Sequence, residues 1–275
     1  MLPDMVGKNK VLVKHVWKFA FRILLLAAAL LFYCLGNGSW LRDVCVSLPM
    51  QVGGEMRLCR LFYFFDSEKL HFPSLFQLGV GGVFLWIVWI HVVIGMLYRI
   101  FPNRSIAMGA RKHFACSYKT TANANIEDMA GMRRRFNKGA LLSIFGWFLI
   151  TVVILLGLHF FGLLTPSAVL ILMLVFAVLD IGFILFFCPF QTLFMRNFCC
   201  STCRIYNWDF FMMCAPLIVF PSFFSISLVI LSVVVFLRWE ISLRKNPAFF
   251  LRETNVNLTC AKCDDKICKL RLLKK

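Results

Sequence analysis

The chain has 275 residues, a formal net charge of +17, 60% hydrophobic and 16% charged residues, and a mean hydropathy of +0.80. A soluble domain carries roughly a quarter charged residues. Several apolar runs here reach the roughly 20 residues that cross a hydrocarbon core, which excludes a soluble globular protein. The positive charge comes without a zinc-finger, helix-turn-helix or aromatic RNA-binding motif, so it points to topology and anionic lipid headgroups rather than nucleic acid.

The pattern predicts an all-α polytopic integral membrane protein with four transmembrane helices and a fifth, proline-broken apolar segment. Residues 1–18 form a basic N-terminus with Lys8, Lys10, Lys14 and Lys18 against only Asp4. That bias places it in the cytoplasm, and in a prokaryote the membrane would be the plasma (inner) membrane. The first span, 19–35, includes Arg22 if that side chain snorkels to the interface. Gly36 and Gly38 imitate a signal-peptide cleavage site poorly, so a retained anchor is expected. The loop 36–74 balances its charges, as an exported segment should, and holds Cys45 and Cys59, which could pair or stay reduced.

The second span, 75–97, has no formal charge and carries His91 towards its cytoplasmic end. Its glycines suit close helix packing rather than phosphate binding. The connection 98–139 holds nine Lys or Arg, including Arg133, Arg134 and Arg135, and is the strongest cytoplasmic signal in the chain. The third and fourth spans, 140–161 and 168–190, are separated by "GLLTPS" and predict an antiparallel hairpin.

Asp180 lies midway along the fourth span. An ionised carboxylate there needs a partner, water or a proton. With regular helices, His91 sits about 9 Å and Asp180 about 15 Å from the cytoplasmic ends, so the two could share a proton or an ion. A protonated Asp180 bonded to a hydroxyl or a carbonyl is the plainer expectation.

Residues 191–209 form a loop containing "NFCCSTCRIYNWD". Tyr206 and Trp208 read as interface anchors, and Arg204 as a partner for Asp209 or a lipid phosphate. Residues 210–237 are awkward. As one straight helix their length would be roughly 42 Å, longer than the hydrocarbon core, and Pro216 and Pro221 interrupt them. A full crossing would put the tail 238–275, with ten Lys or Arg and four acids, on the wrong side of the charge rule. A same-side return is slightly favoured over a fifth crossing.

The loop offers Cys199, Cys200 and Cys203, and the tail offers Cys260, Cys263 and Cys268. Zinc takes about four tetrahedral ligands, and iron–sulfur clusters also commonly take four thiolates. Neither motif suffices alone. Joined on one face, Cys200, Cys203, Cys260 and Cys263 make a four-thiolate set, with Cys188, Cys199 and Cys268 as additional or alternative ligands. Paired C-x2-C elements around a long insertion favour structural zinc, with an iron–sulfur cluster as the alternative. Juxtamembrane cysteines are also acylation sites, and buried ones pack as small hydrophobes, so that reading stands beside the metal.

There is no H-E-x-x-H, P-loop, Rossmann or G-x-S-x-G signature, and no reaction class is supported. The expected function is a non-enzymatic scaffold or accessory subunit with protein partners at the cytoplasmic face. The alternatives are membrane electron transfer through an iron–sulfur cluster, and small-ion or solute transport through Asp180 and His91.

Overall fold

Runs of Leu, Ile, Val and Phe with no water to satisfy their backbone must close every hydrogen bond internally, and a helix does so within one segment. The structure, a computed structural model, describes residues 10–37, 80–101, 118–120, 129–195, 205, 208–251 and 254–259. Among them the chain is helical, and an isolated bridge between Thr120 and Asn255 is the one β-type pairing. The elements are α1 (Lys10–Asn37), α2 (Val80–Ile100), α3 (Met129–Phe160), α4 (Pro166–Leu185), a short α5 (Asp209–Cys214) and α6 (Phe223–Lys245). Five helices among the described residues are long and apolar enough to cross a membrane: α1, α2, α3, α4 and α6. The protein is thus an all-α polytopic membrane protein.

Helix ends differ from the sequence boundaries for identifiable reasons. α1 and α3 begin well before their apolar runs, because an amphiphilic basic extension continues the helix without a break. α3 thereby takes Arg133, Arg134 and Arg135 into its first turns. Gly162, at φ 65°, turns the chain between α3 and α4 in the left-handed region that suits glycine. Thr165 then caps α4 by accepting from the Ala168 N–H, with Pro166 at the first helical position. α4 stops at Leu185, short of Pro189, and a π-type turn covers Phe190–Met195.

Packing sets the directions. α1 and α4 run antiparallel: Arg22 meets Asp180, and Phe19 meets Gly182 and Phe186. α1 and α2 are also antiparallel, through the Phe21–His91 and Phe32–Phe84 ring contacts. Phe84, Val88, Val92 and Met96 put a four-residue spacing on one buried stripe of α2. The stripe joins Leu25 and Ala29 of α1, Leu170 to Ala177 of α4, and Leu228 and Val235 of α6 in the main core. α3 is peripheral and buries only a narrow stripe that includes Ala140, Ser143, Trp147 and Thr151. The hydroxyls of Ser143 and Thr151 donate to carbonyls one turn back, at Gly139 and Trp147.

The 210–237 region is not one straight helix. α5 ends at Cys214, where Pro216 removes an amide donor, and the chain tightens into a 3₁₀ turn over Ala215–Val219. Phe220 and Pro221 reverse it, and Ser222 caps α6 by accepting from the Ser225 N–H. The hairpin's two ends share one end of the bundle. Asp209 pairs with Arg99 in the last turn of α2, and Trp208 bonds Glu240 near the end of α6. Deeper in, the Trp89 indole donates to Ser227 Oγ. Trp89 lies about 15 Å along α2 from Arg99, and Ser227 about 20 Å along α6 from Glu240. α6 therefore starts inside the bundle and runs parallel to α2. The end where α1 starts and α2, α4 and α6 finish is called the basic end below.

Candidate functional site

The cysteines of the two motifs, Cys199, Cys200, Cys203, Cys260, Cys263 and Cys268, lie outside the described residues, as do Cys45, Cys59, Arg204 and Tyr206. Their flanks are placed. Upstream, the Trp208 N–H donates to the Ile205 carbonyl at 2.8 Å, and the buried Trp208 indole donates to Glu240 Oε1 at 2.9 Å. Its ring also packs on Phe236. Trp208 is thus an interior residue bonded to α6, which corrects its assignment as an interface anchor. A buried indole must give its N–H a partner, and Glu240 supplies a charged one.

Downstream, the tail folds back on the same helix turn. Phe250 packs edge-on against Trp239, the neighbour of Glu240. Asn255 is fully buried; its amide donates to the Phe249 carbonyl, and its side-chain oxygen accepts from the Asn257 N–H. The Val256 N–H donates to the Lys119 carbonyl, and Phe249 stacks on Tyr118. The tail up to Thr259 is consequently fastened to both α6 and the connection that follows α2. Trp239 and Glu240, adjacent in sequence, hold the chain that enters one cysteine motif and the chain that leaves the other.

Cys188 is half-buried and reduced, and its carbonyl accepts from Thr192 in the π-type turn. Cys214 is buried and reduced in the hairpin, and Cys34 is exposed and reduced on α1. Among the described residues no group of three or more His, Cys, Asp or Glu side chains could hold a metal.

The second feature at the basic end is a set of charges inside the bundle. Arg22 Nη1 donates to Asp180 Oδ2 at 2.9 Å and also to the Ala177 carbonyl. Arg99 Nη2 donates to Asp209 Oδ2 at 2.7 Å, between side chains only 10% and 7% exposed. Asp209 Oδ1 also accepts from the Phe210 N–H. Asp180 and Arg22 lie close enough to act electrostatically on Asp209, and Lys18 senses Arg99, Arg22, Asp180 and Lys14. Two carboxylates and several cations from α1, α2, α4 and α5 thus share one low-dielectric neighbourhood.

This geometry redistributes the expected partners. The carboxylate of Asp180 is taken by Arg22, while His91 packs against the Phe21 ring. Arg22 does not need to snorkel, because its charge is met inside the bundle. Asp209 pairs with Arg99. The residues missed in the sequence are Arg22, Arg99, Asp209 and Glu240 as structural charges. The available signal was the presence of opposite charges within or beside apolar runs, which in a membrane are expected to find one another.

The Gly95 backbone completes the hairpin's seat. A Cβ built there would lie 2.8 Å from the tip of the Phe210 ring, so glycine lets that buried ring approach α2. Compared with known protein families, curated proteins and solved structures, the chain finds no match, and its own geometry carries the functional argument.

Proposed function

We propose that the protein is a non-enzymatic membrane scaffold or accessory subunit whose basic end faces the cytoplasm and carries a four-thiolate zinc site. Cys200, Cys203, Cys260 and Cys263 are the ligands, with Cys188, Cys199 and Cys268 near enough in sequence to substitute or support. The observation that carries this proposal is the shared anchorage of the two flanks on Trp239 and Glu240. A metal site assembled from two halves needs both halves in one place, and what supports this is that Trp208, beside one motif, and Phe250, ahead of the other, are held by the neighbouring residues Glu240 and Trp239 of α6.

The chemistry fits the setting. A thiolate is stabilised by neighbouring cations, and the tail around Cys260 and Cys263 carries Lys262, Lys266 and Lys269. Zinc adds no redox chemistry and would tie the tail to the membrane bundle, leaving a rigid basic face for protein partners. In this topology α1 to α4 cross the bilayer, and the Asp209–Lys245 hairpin enters and returns on the cytoplasmic side. At its irregular tip Pro216, Leu217 and Ser222 are buried, while Ile218, Val219, Pro221 and Phe223 present exposed apolar side chains.

The test is metal analysis with visible absorption after anaerobic purification of the full chain. Stoichiometric zinc without visible bands supports the proposal. Iron with broad visible absorption would move the protein to electron transfer. Absence of both metals would reject the site altogether.

A further inference from the structure

The connection that follows α2 carries a further pair of metal-donor side chains. Residues 113–116 read "HFAC", and of the five histidines in the chain His113 alone has a cysteine three residues on. The tail repeats that spacing in "CAKC", from Cys260 to Cys263. Two donors at this spacing can turn onto one cation. Two such pairs fill the four positions that zinc takes, and three thiolates with one imidazole are a common structural set. These four residues lie outside the described ones, but the chain beside each pair is described.

The structure joins those two neighbouring stretches. Thr120 and Asn255 form an antiparallel bridge, the Val256 N–H donates to the Lys119 carbonyl at 3.0 Å, and the Tyr118 ring packs on Phe249 with centroids 4.6 Å apart. At an antiparallel bridge, the chain traced back from Thr120 and the chain traced on from Asn255 leave in the same direction. The first comes to Cys116 two residues before Tyr118, and the second comes to Cys260 one residue after Thr259. Thr259 itself stays close to the bridge, because its N–H donates to the Val256 carbonyl in a 3₁₀ turn. Backbone dimensions then hold the Cys116 Cα within about 7 Å of that of Tyr118, and the Cys260 Cα about 4 Å from that of Thr259. The cysteines of the 191–209 loop have longer tethers: Trp208 is five residues past Cys203, and Phe250 is ten residues ahead of Cys260.

We propose that His113 and Cys116 complete a three-cysteine, one-histidine zinc site with Cys260 and Cys263. The metal and the tail pair are those of the zinc site proposed above, on which this rests; the other two positions go to the α2–α3 connection in place of Cys200 and Cys203. Zinc bound there locks the tail onto that connection and adds its binding free energy to the Lys119–Val256 junction.

The experiment uses the full-length protein, purified anaerobically in detergent, with zinc content per chain, competition against a chelator and zinc-edge X-ray absorption as readouts. Wild type should show three sulfurs at about 2.3 Å and one nitrogen at about 2.0–2.1 Å. His113→Ala and Cys116→Ser should each weaken zinc binding by more than the about 10–100-fold lost with a group that only supports a ligand. Cys200→Ser combined with Cys203→Ser should leave zinc bound. His113→Cys should keep zinc bound through four sulfurs, which separates a lost ligand from a lost fold. Zinc kept without His113 and Cys116 but lost without Cys200 and Cys203, or four sulfurs in wild type, would overturn this ligand set and leave the zinc reading standing. A zinc-free wild type would overturn both.

Discussion

Replacing Asp209 with Asn should loosen the hairpin from the bundle far more than a surface change would. The substitution keeps the side chain's shape and its acceptor for the Phe210 N–H, and removes only the charge facing Arg99. The bridge is 2.7 Å long between side chains 10% and 7% exposed, so solvent screens it poorly. Removing one partner of such a pair costs about 3–5 kcal/mol, mostly through the charge left behind. That corresponds to a rise of about 10²–10⁴ in the population of undocked hairpin. Cys214 is a reporter built into the hairpin, because its thiol is buried and reduced. Maleimide pulse-labelling of the folded protein, read by mass spectrometry at the Cys214 peptide, should accelerate by that factor in Asp209→Asn. Adding Arg99→Met should recover much of the protection, since the double variant buries no orphan charge. A labelling rate within about threefold of wild type in Asp209→Asn, or no recovery in the double variant, would refute the buried-bridge argument.

Other substitutions probe neighbouring joints. Gly95→Leu places side-chain atoms where the Phe210 ring lies and should cost about 1–3 kcal/mol, again read as faster Cys214 labelling. Asp180→Asn should lower the melting temperature in detergent by leaving Arg22 without its carboxylate, and pairing it with Arg22→Met should restore much of the loss. Trp208→Phe removes the indole bond to Glu240 and should cost about 1.5–3 kcal/mol. If the zinc site exists, that variant should also release zinc to a chelator faster. Asn255→Ala breaks the buried bonds that fold the tail and should speed proteolysis between 246 and 259 while the helices stay protected.

The helical membrane class was legible because apolar run length is dictated by bilayer thickness, and a run such as Ala140–Phe160 has few other outcomes. The α3–α4 turn was legible too, since "GLLTPS" combines a glycine turn with a Thr-Pro helix start. The break after Cys214 was signalled by Pro216 and Pro221, though the length of α6 was not. Arg238, Glu240, Arg244 and Lys245 ended the apolar count without ending the helix. Charge pairing was the hardest to read. Arg22 and Asp180 are far apart in sequence, and an apolar window gives no rotational phase for a helix that is hydrophobic nearly all round. Trp208 misled for a related reason. Its amphipathic ring suits an interface, but a buried Glu240 satisfied the indole N–H inside instead. The number and spacing of the cysteines were legible, while the anchorage of Trp208 and Phe250 on Glu240 and Trp239 depended on a tertiary fold that spacing does not encode.

The zinc-site proposal is tested most directly by metal content per chain in anaerobically purified wild type and in a variant with Cys200, Cys203, Cys260 and Cys263 changed to Ser. The account predicts stoichiometric zinc, no visible absorption, and loss of zinc in the variant with the helices retained by circular dichroism. Unchanged zinc in the variant, or a metal-free wild type, would contradict it.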